Sequence, residues 1–230
     1  MAEMNGLQLE VKSVDIGYGA KQVLHQAQLS IRAGGVHLLI GRNGTGKSSL
    51  LRSIAGLQSI QAGSIVLDGK NVHELSAVVR AKSLAYVAST PPRTSQLCVE
   101  EVLGLAASNA ANIPRALEHF GHLSWAPRRL DTLSDGEAQR VMFARAVLQD
   151  TPWIFMDEPM AFLDVPSRKA FWNHAVEVTE QGTTIFLASH DYEQLAKSVS
   201  IASAHLIEAK GIVPLDPRES PQKWTKRMES

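Results

Sequence analysis

A glycine-rich segment in the first quarter of the chain has the residue types that bind phosphate. Its consecutive residues are Gly41, Arg42, Asn43, Gly44, Thr45, Gly46, Lys47 and Ser48, and Ser49 is assigned to the same site. Glycines let the backbone curl so that several N–H groups point at one anion, and a following helix adds its positive N-terminus. Lys47 is predicted to bind the β- and γ-phosphates of a nucleotide and to assist catalysis, and Ser48 to contact Mg²⁺.

Two adjacent carboxylates follow an apolar run later in the chain. Asp157 and Glu158 come directly after residues 153–156. At the carboxyl end of a central parallel strand, both would face the crevice in which ligands bind. Asp157 is predicted to bind Mg²⁺, and Glu158 to activate a water molecule as general base. Apolar runs that end in Asp-Glu are common, so this interpretation depends on the phosphate-binding segment.

A serine and a glycine at a predicted helix start form a third candidate site. Ser134, Gly136 and Glu137 lie together before an apolar-patterned segment. Ser134 followed three residues later by Glu137 fits a capping box, which is a purely structural role. A serine and a glycine at a helix N-terminus also form an anion site. Both interpretations stay open on these residues alone.

Alternating strands and helices must position these groups. Apolar or alternating runs predict strands at 7–14, 23–31, 36–40, 64–67, 153–157 and 183–189. Helical spacing predicts helices at 47–56, 135–149, 166–180 and 191–197. Strands that alternate with helices imply an α/β fold with a largely parallel sheet flanked by helices.

The middle of the chain and its tail lack the alternation of strands and helices seen elsewhere in the sequence. The stretch from about 72 to 134 is predicted to be a mainly helical insertion, with helices near 99–108 and 114–120. We expect a single domain over 1–230, in which 1–82 and about 135–230 form the nucleotide-binding core and about 83–134 the helical subdomain. The polar tail from Pro214 is expected to lie on the surface or to be partly disordered.

The composition excludes several classes of protein. The 23 basic and 23 acidic residues balance, which gives no indication of nucleic-acid binding. Cys98 is the only cysteine, so an internal disulfide and a cysteine-rich metal site are excluded. The first residues lack the pattern of a secretory signal, and no apolar run approaches the ~20 residues that span a bilayer. The chain is expected to be soluble in a reducing compartment, with any membrane role supplied by partners.

The three candidate segments occur in the order and spacing of ABC ATPases. Residues 133–137, Leu-Ser-Asp-Gly-Glu, resemble the family's signature segment Leu-Ser-Gly-Gly-Gln, with Asp135 and Glu137 as substitutions. The resemblance extends from about residue 7 to residue 206. It implies an α/β fold with a P-loop NTPase core of mainly parallel sheet, an antiparallel β subdomain and a helical insertion.

Further positions match the same family. Tyr18 resembles the aromatic residue that stacks on adenine, although a packing aromatic is an alternative. Asp164, in the segment 161–164, resembles part of the loop that contacts the opposite subunit. His190 resembles the histidine that touches the γ-phosphate, although a helix-start residue is an alternative.

The resemblance implies a mechanism with ATP and Mg²⁺. Two copies would pair head to tail, so that the phosphate-binding segment of one and Ser134 and Gly136 of the other enclose one ATP. Glu158 and His190 would align the attacking water. Hydrolysis would then let the pair open.

Two segments narrow the resemblance to a subfamily. Residues 133–140 and 161–168 look like those of ATPase subunits of bacterial importers for iron–siderophore, haem or cobalamin. Such systems imply two transmembrane permease subunits, an extracytoplasmic binding protein acting through the permease, and a peripheral position on the cytoplasmic face of the inner membrane. Residues 80–104 are expected to receive the permease. The ATPase subunit of an exporter, a non-transport ABC protein and a weakly hydrolysing regulatory subunit stay open as alternatives.

The chain departs from the family pattern near the reacting groups. Ser89 stands where the family usually has a glutamine that contacts Mg²⁺ or the attacking water, and its shorter side chain would reach Mg²⁺ only through water. Gln96 is an alternative if the loop folds back. Ala161 replaces a usual serine of the dimer contact. Asp135 and Glu137 bring negative charge near a triphosphate, so both side chains are expected to point away, with Glu137 capping the helix.

Overall fold

The computed structural model describes residues 6, 8–19, 21–92, 96–190, 200–208 and 211–229. Its strands are β1 (Gln8–Tyr18), β2 (Lys21–Arg32), β3 (Val36–Ile40), β4 (Ala62–Leu67), β5 (Lys70–Asn71), β6 (Leu84–Val87), β7 (Trp153–Asp157), β8 (Thr184–Ala188), β9 (Ile201–Glu208) and β10 (Gly211–Leu215). Its helices are α1 (Lys47–Ile54), α2 (Ala77–Ser83), α3 (Val99–Gly104), α4 (Ile113–Phe120), α5 (Asp135–Leu148), α6 (Val165–Glu180) and α7 (Pro221–Glu229). The helix predicted at 191–197 lies outside the described residues.

A mainly parallel sheet carries the chemistry-bearing segments. Its strand order is β10-β9-β3-β8-β7-β6, and the neighbours from β9 to β6 are parallel while β10 is antiparallel to β9. Every residue of β3, β7 and β8 is buried, as expected for strands covered by layers on both faces. The strands predicted at 36–40, 153–157 and 183–189 are therefore confirmed, with β8 one residue shorter at each end. The carboxyl ends of β3 and β7 place Gly41 and Glu158 at one edge of the sheet.

Strands from the first third of the chain form a second sheet, which is antiparallel. Its order is β2-β1-β4-β5, and β1 pairs with both β2 and β4. The buried side chains of β1 alternate with exposed or half-buried ones, which is the pattern of a sheet with one covered face. Residue 7 lies outside the described part, and both strands run further than the predicted 7–14 and 23–31. The two sheets together confirm the α/β class with an antiparallel β portion.

The predicted helical insertion is helical in its second half. The helices α3 and α4 lie within 99–120, shorter than predicted at the first and one residue longer at the second. The stretch that starts at 72 also contains α2 and the strand β6, which joins the main sheet beside β7. The division at residues 83 and 134 stays a prediction.

The tail from Pro214 is folded and most of its described residues are exposed or half-buried, as expected for a surface segment. β10 pairs with β9, and α7 follows it. Trp224 is fully buried in the main core, and its indole N–H donates to the Asp216 carbonyl at 3.3 Å. The polar composition of the tail gives no indication of this buried indole, which anchors the short amphipathic helix α7.

A half-buried aspartate, Asp68, ties the antiparallel sheet to the strand that carries the carboxylates. The indole N–H of Trp153, the first residue of β7, donates to Asp68 Oδ2 at 3.1 Å. The same carboxylate accepts from the Gln8 backbone N–H at 2.9 Å. Burial raises the pKa of Asp68, while these two hydrogen bonds and Lys70 lower it. The sheet containing Tyr18 is thereby held against the strand that ends at Asp157.

Two buried histidines form a hydrogen-bonded chain between β3 and β9. His37 Nε2 lies 2.9 Å from the Gly34 carbonyl, and its Nδ1 lies 2.7 Å from Ser203 Oγ, which in turn lies 2.9 Å from His205 Nε2. The pattern is satisfied when both rings are neutral: His37 donates to Gly34, Ser203 donates to His37, and His205 donates to Ser203. Burial lowers the pKa of each histidine to about 4.

These histidines predict a loss of stability in mild acid. Because the folded state keeps both rings neutral, the unfolded chain binds more protons between pH 6.5 and about 4. The free energy of unfolding should decrease as the pH is lowered through this window, by up to about 1.4 kcal/mol per pH unit for each histidine. Urea unfolding at a series of pH values measures the slope.

A double variant, His37→Asn with His205→Asn, should flatten that dependence, and the exposed histidine variant His122→Asn is the matched control. An unchanged slope in the double variant would show that other groups cause the acid sensitivity.

Candidate functional site

The loop after β3 has a backbone that favours glycine and ends at a helix N-terminus. Gly44 has a φ of 81° and Gly46 a φ of 102°, both in the left-handed region. A Cβ on Gly46 would come within 2.8 Å of the Val23 side chain, so the loop also packs too closely for a larger residue. Gly46 is the N-cap of α1 and has no side chain to cap it, which leaves the N–H groups of the first turn to an anion.

Lys47 is the first residue of α1 and its amine is turned back onto the loop. The side chain is only 6% exposed. Its ammonium donates to the carbonyls of Gly41 at 2.8 Å and Arg42 at 3.2 Å, and lies 3.6 Å from Glu158 Oε1. A buried cation that is held by carbonyls and one carboxylate is a suitable partner for phosphate oxygens.

Ser48, next to Lys47 in the chain, brings its hydroxyl to the Asp157 carboxylate. The Ser48 hydroxyl donates to Asp157 Oδ1 at 2.9 Å. Asp157 is fully buried, and its Oδ2 has no hydrogen-bond partner among the described residues. Burial raises the pKa of this carboxyl, against the Ser48 hydrogen bond and the positive charges of Arg52 and Lys47. A hydroxyl and a buried carboxylate with an unpaired oxygen fit Mg²⁺, which takes hard oxygen ligands from one or two carboxylates and from substrate phosphates.

Glu158 sits in a strained backbone position and is held on one oxygen. Its φ is 46°, a left-handed conformation that a non-glycine residue adopts at a cost on the order of 1 kcal/mol. Its backbone N–H donates to the Ala188 carbonyl at 2.9 Å. Oε2 lies 3.2 Å from the His190 backbone N–H and 2.9 Å from His190 Nδ1. Oε1 is therefore the oxygen left to face Lys47 and an incoming water.

A cleft of about 410 Å³ lies in front of these groups. It is lined by Tyr18, Lys21, Gln22, Val23, Asn43, Gly44, Gly46, Lys47, Ser48, Ser49 and Glu158. Tyr18 is half exposed, and its hydroxyl lies 3.1 Å from Ser49 Oγ and donates to Gln58 Oε1 at 2.9 Å. The ring is thus presented at the mouth of the cleft, where it can stack on a base. Arg42 and Thr45 shape the loop instead, because the Thr45 hydroxyl donates to the Arg42 carbonyl at 2.8 Å.

Sequence reasoning missed three residues of this cleft. Lys21, Gln22 and Val23 begin β2, directly after the turn that follows Tyr18. They carry no motif of their own. Their position in the hairpin beside Tyr18 was the signal that could have identified them.

A second cleft, of about 570 Å³, contains the Ser134 segment. Its lining comprises Ser134, Asp135, Gly136, Glu137, Arg140, Phe162, Leu163, Asp164 and Ser167. Ser134 is the exposed N-cap of α5. A Cβ on Gly136 would lie 3.0 Å from the Phe162 carbonyl, so a glycine lets the two segments approach closely. Asp164 caps α6 by accepting from the Ser167 N–H at 3.0 Å.

The capping box predicted at Ser134 and Glu137 is present. The Ser134 N–H donates to Glu137 Oε2 at 2.8 Å, and Ser134 Oγ accepts from the Glu137 N–H at 3.2 Å. Since Ser134 Oγ accepts here, its own hydrogen stays available for a phosphate oxygen. The hydrogen bond from Ser134, with the nearby charges of Arg128 and Arg140, lowers the pKa of Glu137. Glu137 therefore caps the N-terminus of α5, and the two arginines balance its negative charge.

The two clefts share no lining residue. The first has Lys47, Ser48 and Glu158 beside the N-terminus of α1. The second has Ser134 and Gly136 at the N-terminus of α5. The structure therefore brings the loop 41–49, Asp157, Glu158 and His190 together, and keeps the signature segment and Asp164 apart from them in the same chain.

Ser89 does not line either cleft. It is half-buried and lies two residues beyond the end of β6. Val87, the last residue of β6, pairs with Met156, so Ala88 and Ser89 follow β6 at the edge of the sheet where β7 ends in Asp157. Its predicted contact with Mg²⁺ stays a prediction.

Among the described residues, no helix is long and apolar enough to cross a membrane.

Known proteins are similar to this chain in sequence. The ABC transporter family profile matches residues 24–161. The iron(3+)-hydroxamate import ATP-binding protein FhuC of Bacillus subtilis (strain 168) is 33% identical over 214 residues, covering 84% of this chain and 76% of that protein. The hemin import ATP-binding protein HmuV of Rhodococcus jostii (strain RHA1) is 29% identical over 215 residues, covering 89% of this chain and 73% of that protein.

A solved structure agrees with these relatives. It is described as the ATP binding subunit of an ABC transporter, and it matches with a TM-score of 0.84 and 27% identity over 96% of this chain and 99% of the other. The chain therefore belongs to the ABC transporter family, as an ATPase of its ATP-binding cassette type. The predicted family and the predicted P-loop NTPase fold are confirmed.

Proposed function

We propose that two copies of this chain bind ATP between them and use its hydrolysis to drive import across a membrane. The observation that carries the proposal is the separation of the two clefts. Each offers a helix N-terminus that suits phosphate, and each is open on one side. A head-to-tail pair would bring the cleft at Lys47 of one copy against the cleft at Ser134 of the other.

The first cleft supplies the residues for binding and hydrolysis. Tyr18 stacks on adenine, and the loop 41–49 with Lys47 cradles the phosphates. Mg²⁺, which Ser48 and Asp157 would hold, supplies positive charge against the phosphate oxygens. Ser89 is proposed to reach it through a water, with slower turnover than a glutamine would give.

The hydrolytic step follows from the arrangement of Glu158. Its Oε2 is fixed by His190, so Oε1 accepts the proton of a water whose oxygen attacks the γ-phosphorus. The bond between that phosphorus and the bridging oxygen breaks, and its electron pair stays with ADP. Lys47 of one copy and Ser134 and Gly136 of the other balance the negative charge that develops on the transferred group.

In this proposal, ATP holds the two copies together by contacting both of them. The signature segment contacts the γ-phosphate only in the closed pair, so ATP binds the closed form better than the open form and shifts the equilibrium towards it. Asp164 and Phe162 line the cleft that the partner copy would cover, which gives them a place in the same contact. Loss of the γ-phosphate removes the bridge, and the pair opens.

The partners and the substrate are proposed from the relatives' names. Iron-hydroxamate and hemin import subunits point to an iron complex as the transported molecule, with cobalamin as a related choice. The assembly would then contain two permease subunits and an extracytoplasmic binding protein, with this chain peripheral on the cytoplasmic face. Residues 80–104 are the proposed permease contact.

The variant Glu158→Gln tests the assigned base. It should keep ATP binding and form a stable ATP-dependent dimer in size-exclusion chromatography, because the loop 41–49, Lys47 and Asp157 are unchanged and glutamine keeps the shape of the side chain. Its turnover of ATP should fall by about 10²- to 10⁴-fold, the range that general base catalysis contributes. Lys47→Ala is the control that should lose nucleotide binding itself. Rapid turnover in Glu158→Gln would remove Glu158 from the mechanism.

Uptake measurements test the transport role. Cells that lack this gene, but carry permease and binding-protein genes encoded beside it, should regain uptake of one labelled compound among ferric hydroxamate, hemin and cobalamin when the native chain is supplied. Glu158→Gln should not restore uptake. If none of the compounds enters in a chain-dependent manner, and a compound is instead expelled, the import assignment is wrong and the exporter alternative holds.

A further inference from the structure

Two glutamines tie the signature helix α5 to both ends of the edge strand β6. Gln149, at the C-cap of α5, donates from its amide to the carbonyls of Ala81 at 2.7 Å and Leu84 at 3.0 Å, where β6 begins. Gln139 donates from its amide to the Ala88 carbonyl at 3.1 Å, just past the end of β6. Because β6 is the edge strand of the sheet formed by the described residues, these contacts help to fix it in place.

The contact at Gln139 is not explained by packing. The side chain is 1% exposed, and its Oε1 is buried without a hydrogen-bond partner among the described residues. A buried amide with one unpaired oxygen is less favourable than an apolar side chain of the same length, such as methionine. The remaining feature that only the amide provides is the hydrogen bond to Ala88.

The position of this hydrogen bond connects two parts of the site. Ala88 precedes Ser89 and follows Val87, which pairs with Met156, the residue before Asp157. Gln139 lies five residues after Ser134 on a rigid 14-residue helix, so a movement of Ser134 moves Gln139 with it. The hydrogen bond therefore links the signature end of α5 to the segment beside the metal-binding carboxylate.

We propose that Gln139 is a positioning residue that couples the two nucleotides of the dimer, an inference that rests on the proposed shared ATP site. In the pair, Ser134 contacts the nucleotide held by the partner, whereas Asp157, hydrogen-bonded to Ser48, belongs to the nucleotide site of its own chain. Closure at one nucleotide thus shifts the Ala88 segment, next to the strand that ends at Asp157, at the other. The coupling makes ATP hydrolysis cooperative, and Gln139 acts through Ala88 without touching either nucleotide.

The matched variants Gln139→Met and Gln149→Met test this coupling in the full-length chain. Each removes an amide-to-carbonyl contact between α5 and β6, so circular dichroism and thermal unfolding should show folded proteins with Gln149→Met destabilised at least as much. Only Gln139→Met should lower the kcat for ATP, by about tenfold, as expected for displaced reacting groups. Its Hill coefficient should fall from near 2, the ceiling for two sites, towards about 1, while nucleotide binding to the monomer is unchanged.

Equal kcat values and Hill coefficients in the two variants would make Gln139 a structural tie only and would overturn the inference. If Gln139→Met does not fold, the pair Gln139→Asn and Gln149→Asn, which keep a polar amide but lose its reach, gives the same comparison. Failure of the proposed function has a different signature, because the native chain would then show no cooperativity and no dependence on Lys47.

Discussion

A triphosphate is bound by dipoles and charges that converge on it from more than one side, and a single copy of this chain provides only one side at a time. The N-terminus of α1 opens into the cleft with Lys47, and the N-terminus of α5 opens into the other cleft with Ser134. Completing the cage therefore calls for a second copy. The proposed dimer, the proposed switching by ATP and the proposed coupling through Gln139 all rest on this separation of the two anion sites.

The parallel sheet makes the first cleft rigid before any ligand arrives. Wholly buried strands deliver Gly41 and Asp157 to one edge, and the Asp68–Trp153 hydrogen bond holds the sheet of Tyr18 against the start of β7. Glu158 is held in a left-handed conformation and on one oxygen by His190. The second cleft is formed by the capping box at the start of α5 and by the segment 162–167 that leads into α6.

Motifs of local origin could be predicted from the sequence, and contacts between distant segments could not. The loop 41–48, the carboxylates after β7 and the capping box at Ser134 each depend on neighbours a few residues away, and their patterns state them directly. Lys21 and Gln22 join the cleft only because the β1–β2 hairpin turns back beside the loop. The docking of Trp224 and the Gln139–Ala88 hydrogen bond depend on tertiary packing. Neither could be predicted from the sequence, because a polar tail and a glutamine in the middle of a helix have no pattern that indicates these contacts.

Mixing two inactive variants, Lys47→Ala and Ser134→Arg, tests the shared site most directly. A mixed pair has one doubly damaged site and one site with Lys47 from one copy and Ser134 from the other intact. ATPase activity, absent in each variant alone, should return in an equimolar mixture to as much as about a quarter of the native rate, as random pairing of two-fold dimers gives. A mixture that stays as inactive as its folded components would contradict a nucleotide clamped between two copies of this chain.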